Sequence, residues 1–156
     1  MSASLPTATT DFISLEQALK HYFGYDSFRP GQRQIIEQTI ENRDQLVVMP
    51  TGGGKSLCFQ LPALLKPGLM IVVSPLIALM RDQVEALRQA GVNAATLNSS
   101  ISAEESARTF RDLKNGKLQL LYVAPERLVL PGFKSMMQGV KIALIAIDEA
   151  HCVSQW

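Results

Sequence analysis

Leu46-Val47-Val48-Met49-Pro50-Thr51-Gly52-Gly53-Gly54-Lys55-Ser56 is the stretch on which the reading of this chain turns. The apolar run predicts a short buried strand, the glycines a tight loop, and Lys55-Ser56 the start of a helix. A chain built this way presents backbone N–H groups to phosphate. Glycine lets the backbone turn sharply, and the helix N-terminus adds unpaired donors and a partial positive charge. Thr51, Gly52, Gly53 and Gly54 are therefore candidates to cradle phosphate. Lys55 offers a full charge to the outer phosphates, and Ser56 a hydroxyl that can ligate Mg²⁺. The strict spacing G-x-x-x-x-G-K-[ST] is not met, because Met49 stands where its first glycine belongs. The part that touches phosphate is kept. A glycine-rich surface turn beside an ordinary lysine is the bland alternative, and the strand before and helix after weigh against it.

Working outward, the chain has 156 residues, 47% apolar and 19% charged, a globular profile with enough length for a sizeable core. Its longest apolar runs are about six residues, far short of a membrane span. Residues 1–10 are small and hydroxylated, with no basic or apolar part of a signal peptide, and read as a loose tail. Cytoplasmic residence and no membrane partner are the expectations. A net charge of +1 does not announce a nucleic-acid partner, which must be argued from motifs. Two distant cysteines, Cys58 and Cys152, suggest neither a disulfide framework nor a zinc site.

Ser14 caps a helix whose apolar face is Leu15, Leu19, Tyr22 and Phe23, and Gly24 ends it. A loop through Pro30 leads to a second helix running to about Ile40, with Ile35, Ile36 and Ile40 inward. Strands are expected at 45–49, 69–73, 94–97, 118–123 and 142–147. Helices follow from Lys55 to about Leu64 (despite Pro62, which should end or kink it), over 76–90, and from the Ser102 capping box to about Lys114. Short helical turns are expected at 126–130 and 133–138. Five strands, each apolar throughout and each followed by helix, argue for an α/β fold with a mostly parallel sheet covered on both faces. The polar candidates all fall just past strand C-termini, where open α/β sheets bind ligands.

A phosphate loop that hydrolyses needs a metal partner and a base. Asp148 ends an apolar strand, which suits a carboxylate held near a Ser56-bound Mg²⁺. Glu149 follows as the candidate general base or water-orienting residue. Two solvated acids at a strand end are common, and only the phosphate loop upstream raises these above that reading. His151 stands two residues past the proposed base. By itself it is an ordinary loop histidine, and Trp156 an ordinary apolar group.

Four runs resemble motifs I, Ia, Ib and II of the RecQ helicases, ATP-dependent DNA helicases of superfamily 2 and DExH type that move 3′ to 5′. They are 49–58, 73–83, 122–128 and 148–156, the last reading Asp148-Glu149-Ala150-His151-Cys152-Val153-Ser154-Gln155-Trp156. Tyr25-x-x-Phe28-Arg29-Pro30-Gly31-Gln32 is similar to the family's motif 0. The resemblance implies a RecA-like P-loop NTPase domain with ATP and Mg²⁺ as cofactors and single-stranded and duplex DNA as partners. The aromatic ring of motif 0 and Arg29 would sandwich adenine while Gln32 reads its edge, and ring and guanidinium planes both stack on a purine. His151 would relay between nucleotide and an aromatic-rich loop beginning at Trp156. Ser74, Pro75 and Arg127, with Trp156, would contact single-stranded DNA, held by stacking and backbone contacts. The missing first glycine of the phosphate loop is normal for this family.

On this reading residues 11–156 are the first RecA-like domain, ending before the motif III strand, with the second domain absent. Such a piece is expected to be marginally stable, with unpaired backbone beside 46–49, and inactive alone, because ATP sits between two such domains. A superfamily 2 RNA helicase or remodeller is the second reading, and a non-catalytic nucleotide-binding fragment the third.

Overall fold

The structure, a computed structural model, describes residues 14–50 and 54–150. Two compact units divide between Pro67 and Gly68. Among the described residues, no helix is long and apolar enough to cross a membrane.

Three helices make up the described part of the first unit: α1 (Leu15–Phe23), α2 (Gln32–Ile40) and α3 (Lys55–Leu65). The expected cap of α1 forms, with the Gln17 N–H donating to the Ser14 hydroxyl at 3.2 Å, and Gly24 ends the helix at φ 77°. Leu57, Leu61 and Leu65 recur every four residues on one face of α3 and bury against Ala18, Leu19 and Ile36. In α2, Ile36 is buried as expected, but Ile35 and Ile40 are only half-buried and Thr39 takes an inward place. The Thr39 hydroxyl donates to the Ile35 carbonyl at 2.8 Å, so its burial leaves no orphan group. Lys66 closes the same helix by donating to the Thr39 carbonyl at 3.3 Å and to the Asn42 side chain. Pro62 lies inside α3 and does not end it. The proline removes one helical hydrogen bond, and the burial of Leu61, Leu64 and Leu65 around it offsets that loss.

The strand expected at 45–49 is not formed, so the described sheet has four strands and not five. Leu46 is 84% and Val48 89% exposed. Their apolar, β-branched character favours extended backbone, but a strand needs a neighbour to pair with, and this segment has no ladder.

The second unit holds β1 (Leu69–Val73), α4 (Ile77–Gln89), β2 (Ala94–Leu97), α5 (Ala103–Lys114), β3 (Leu120–Val123), α6 (Pro125–Leu128), α7 (Pro131–Met136) and β4 (Ile142–Ile147). All pairings are parallel, in the order β2-β3-β1-β4. Ile71, Val73, Leu97, Leu121 and Val123 point to one face, where Leu113 of α5 and Met136 of α7 cover them. Tyr122 points to the other, where its hydroxyl donates to Gln83 of α4 at 2.8 Å. Crossover handedness accounts for this division. The β1-to-β2 connection runs toward one edge of the sheet and the next two run toward the other, so right-handed crossovers place their helices on opposite faces.

Every residue of β1 and β3 is buried, as continuous apolar strands require. The expectation of full cover fails at β4. It is an edge strand in the described sheet, with Ile145 56% and Ile147 49% exposed. At its start the backbones pass closely, with the Leu69 N–H donating to the Lys141 carbonyl at 2.8 Å. Gly68 permits this: it sits at φ +109°, and a Cβ there would lie 3.0 Å from that carbonyl oxygen.

Candidate functional site

In the first unit, α3 begins at Gly54, which takes a left-handed conformation (φ 80°, ψ 37°) with no side-chain cap. The first-turn N–H groups of α3 lack intrahelical partners, and the helix dipole adds partial positive charge there. Lys55 is exposed and Ser56 half-buried in that first turn. This is the glycine-to-helix junction that the sequence predicts, without the strand expected before it. Thr51, Gly52 and Gly53, the rest of the expected cradle, lie outside the described residues.

Three candidates meet at this helix start. Gln32 is buried, 3% exposed, at the first position of α2. Its Oε1 accepts the Arg29 N–H at 2.8 Å, and its Nε2 donates to the Gly54 carbonyl at 3.1 Å. The motif 0 loop is thereby tied directly to the end of the phosphate loop. Each end of this carboxamide makes one of these bonds, which hold it in place and leave it a second N–H and a second lone pair. Tyr25 is 57% exposed, and Arg29 is exposed too, as stacking groups must be. No local pattern announces the Gln32–Gly54 bond, which spans two elements.

Cys58 lies one turn into α3, 6% exposed, its Sγ 3.7 Å from the Gly54 carbonyl oxygen. Burial pushes its thiol up to about 11, so it stays protonated and packs as a small apolar group.

Gly54 admits no side chain. A Cβ there would meet Gln32 Nε2 at 2.2 Å, on a backbone that already disfavours L residues. Gly54→Ala should cost about 1–3 kcal/mol in urea unfolding. Adding Gln32→Ala should recover only the part due to the clash, since the positive φ remains. Full recovery in the double variant, or no loss in the single one, would contradict this account.

In the second unit the parallel strands bring their C-termini to one edge. The Ser74 N–H donates to the Val123 carbonyl (3.2 Å), the Ala124 N–H to Leu97 (3.1 Å) and the Asp148 N–H to Val73 (2.8 Å). These bonds carry the ladder one step beyond the strands and set Ser74, Ala124 and Asp148 in one row. Ser74 is 2% exposed, and its hydroxyl accepts the Leu76 N–H at 3.2 Å. Pro75 and Arg127 beside this row are half-buried. Asn98, at the same edge after β2, is 2% exposed and accepts the Ser100 N–H at 2.7 Å.

Asp148 accepts the Glu149 N–H on its own carboxylate at 3.1 Å, and both residues are half-buried. Glu149 stands at φ 56°, a left-handed conformation uncommon for a residue other than glycine, asparagine or aspartate. Nothing in the local sequence signals it. His151 and Trp156 lie outside the described residues.

A family model described as DEAD/DEAH box helicase matches residues 29–156. This chain belongs to the DEAD/DEAH box helicase family. The helicase-family chain is 51% identical over 142 residues to the ATP-dependent DNA helicase RecQ of Bacillus subtilis, a match covering 90% of it and 24% of that protein. It is 50% identical over 138 residues to RecQ of Haemophilus influenzae, covering 88% and 22% respectively. The chain thus spans about a quarter of the length of these relatives. Among solved structures, a hypothetical ATP-dependent RNA helicase from Sulfolobus tokodaii superposes with TM-score 0.69 at 22% identity, over 90% of this chain and 42% of that one. That likeness supports the RecA-like α/β fold for this helicase-family chain.

Proposed function

We propose that this chain is the ATP-binding part of a DNA helicase of the RecQ type, coupling ATP hydrolysis to 3′-to-5′ unwinding of duplex DNA in repair and recombination. The observation that carries the reading is the row at the sheet's C-terminal edge. The Asp148 N–H bond to Val73 sets the acid of motif II level with Ser74 of motif Ia, where α/β sheets bind ligands. Roughly 50% identity to RecQ helicases supports the DNA-directed form. Residues 11–156 would form the first motor domain after a tail over 1–10, in a cytoplasmic protein.

In this reading the α3 N-terminus, with Thr51, Gly52, Gly53 and Gly54, holds the ATP phosphates and Lys55 neutralises the outer ones. Tyr25 and Arg29 stack on adenine. Gln32 reads the base edge with the second N–H and lone pair of its carboxamide. Ser56 and Asp148 are the Mg²⁺ residues. A hydroxyl and a carboxylate are the hard oxygen donors this ion takes, and bound to a nucleotide it needs only one or two from protein. The ion supplies charge neutralisation between phosphates. Glu149 accepts the proton of the attacking water, and the strained backbone at φ 56° fixes where its carboxylate sits. His151 passes the nucleotide state toward Trp156, which with Ser74, Pro75 and Arg127 holds single-stranded DNA. With Ser74 buried, its half-buried neighbour Pro75 is the accessible contacting group of that segment.

The test is ATPase stimulation of the complete gene product by single-stranded DNA and by RNA of equal length. Stimulation by DNA at least about tenfold above that by RNA is expected. Equal or greater stimulation by RNA would overturn the DNA-directed reading, and no ATPase with either would overturn the motor reading itself.

A further inference from the structure

Gln83 breaks the apolar stripe by which α4 faces the sheet. Met80, Val84 and Leu87 of that stripe are buried, and Gln83 stands three residues from Met80 and four from Leu87, on the same side of the helix. A carboxamide in such a place costs stability unless it is paired. Its Oε1 accepts the hydroxyl proton of Tyr122 at 2.8 Å, and Tyr122 is 1% exposed on β3.

The pair joins two segments that lead into the proposed DNA edge. Tyr122 lies two residues before Ala124 and registers with Val72 of β1 and Thr96 of β2, just short of the strand ends. Upstream, α4 starts directly after Ser74, Pro75 and Leu76. From Gln83 back to Ile77 is about 9 Å of helix at 1.5 Å per residue. Apolar ridges tolerate small slides and rotations, whereas a hydrogen bond from the buried Tyr122 to the half-buried Gln83 favours one register. The Ser74 loop is held at its other end by the Ser74 N–H bond to Val123. Its position therefore rests on two anchors on β3, one from the backbone of Val123 and one from the side chain of Tyr122.

We propose that Tyr122 and Gln83 are positioning residues for nucleic-acid engagement, fixing α4 so that the loop at 74–76 and the segment at 124–127 present one continuous surface to single-stranded DNA. This rests on the DNA-directed reading above. Neither residue touches nucleotide or DNA in it.

The experiment uses the complete gene product carrying Tyr122→Phe, which removes one oxygen, and the double variant Tyr122→Phe with Gln83→Leu, which removes both partners of the pair. ATPase is followed against single-stranded DNA and against ATP, with thermal melting alongside. Tyr122→Phe should raise the DNA concentration for half-maximal stimulation about three- to tenfold, the worth of one buried hydrogen bond. The KM for ATP should stay within twofold of wild type. In the double variant the DNA defect should persist whatever its melting temperature. Half-saturation by DNA within twofold of wild type in Tyr122→Phe would overturn the proposal, as would its return to normal in the double variant. Parallel rises in the KM for ATP and the DNA requirement would also overturn it, as general damage. Absence of DNA stimulation in the wild-type protein would instead remove the DNA-directed reading, and this inference with it.

Discussion

Lys55→Ala should lower ATP turnover of the complete gene product by at least about a hundredfold, the scale on which a single charge-stabilising donor matters to a transition state. The argument starts from Gly54. Its left-handed cap opens α3 with no side chain competing for the first-turn N–H groups, so the helix end offers about half a unit of positive charge. That partial charge holds phosphate but does not neutralise the outer oxygens as charge shifts during transfer, which is the part assigned to Lys55. The side chain is exposed and alanine is the better helix former, so the fold should be unaffected and the loss purely functional. Steady-state ATPase with thermal melting as a control measures both. Turnover within about fivefold of wild type would show that the helix N-terminus suffices and that Lys55 has been given the wrong role.

Glu149→Gln should separate binding from chemistry. The amide keeps the size and hydrogen-bonding reach of the acid but cannot take a proton, so turnover should fall about 10²- to 10⁴-fold while nucleotide affinity is retained. Fluorescent-nucleotide titration and single-turnover hydrolysis read the two separately. Backbone strain sharpens the test. At φ 56°, glutamine is as strained as glutamate, so Glu149→Gln should leave the melting temperature unchanged. Glu149→Gly should relieve the strain and gain up to about 1 kcal/mol while equally losing turnover. Stabilisation without loss of activity in the glycine variant would mean that Glu149 is held in this conformation for reasons unrelated to hydrolysis.

Much of the architecture was legible because it is written in local patterns. Ser14 and Ser102 cap their helices through the expected hydroxyls, accepting from Gln17 and Glu105. The apolar runs at 69–73 and 94–97 are strands as read, and that at 118–123 starts two residues later, at Leu120. Parallel pairing followed from strands apolar throughout and separated by helices. The expected clustering of candidate segments past the strand ends holds for those that open at Ser74, Ala124 and Asp148, since parallel strands bring all C-termini to one edge.

Errors and omissions arise where a residue's state depends on what lies across from it. Residues 45–49 carry as strong a strand pattern as 69–73, yet only the latter find neighbours on both sides. The hydrophobicity of β4 forecasts full burial, and its edge position leaves Ile145 and Ile147 exposed.

What the amino-acid order alone determined is the helices, four of the five expected strands, the Ser14 and Ser102 caps and the glycine-to-helix junction at Gly54, Lys55 and Ser56. Each of these is set by interactions within a few residues, where periodicity and backbone sterics decide. Only tertiary structure decided that the Gln32 amide bonds Gly54, that Tyr122 anchors Gln83, and that Glu149 is held at φ 56°. The first two depend on groups far apart in sequence meeting at hydrogen-bond distance, and no local pattern records which partner a polar side chain will find.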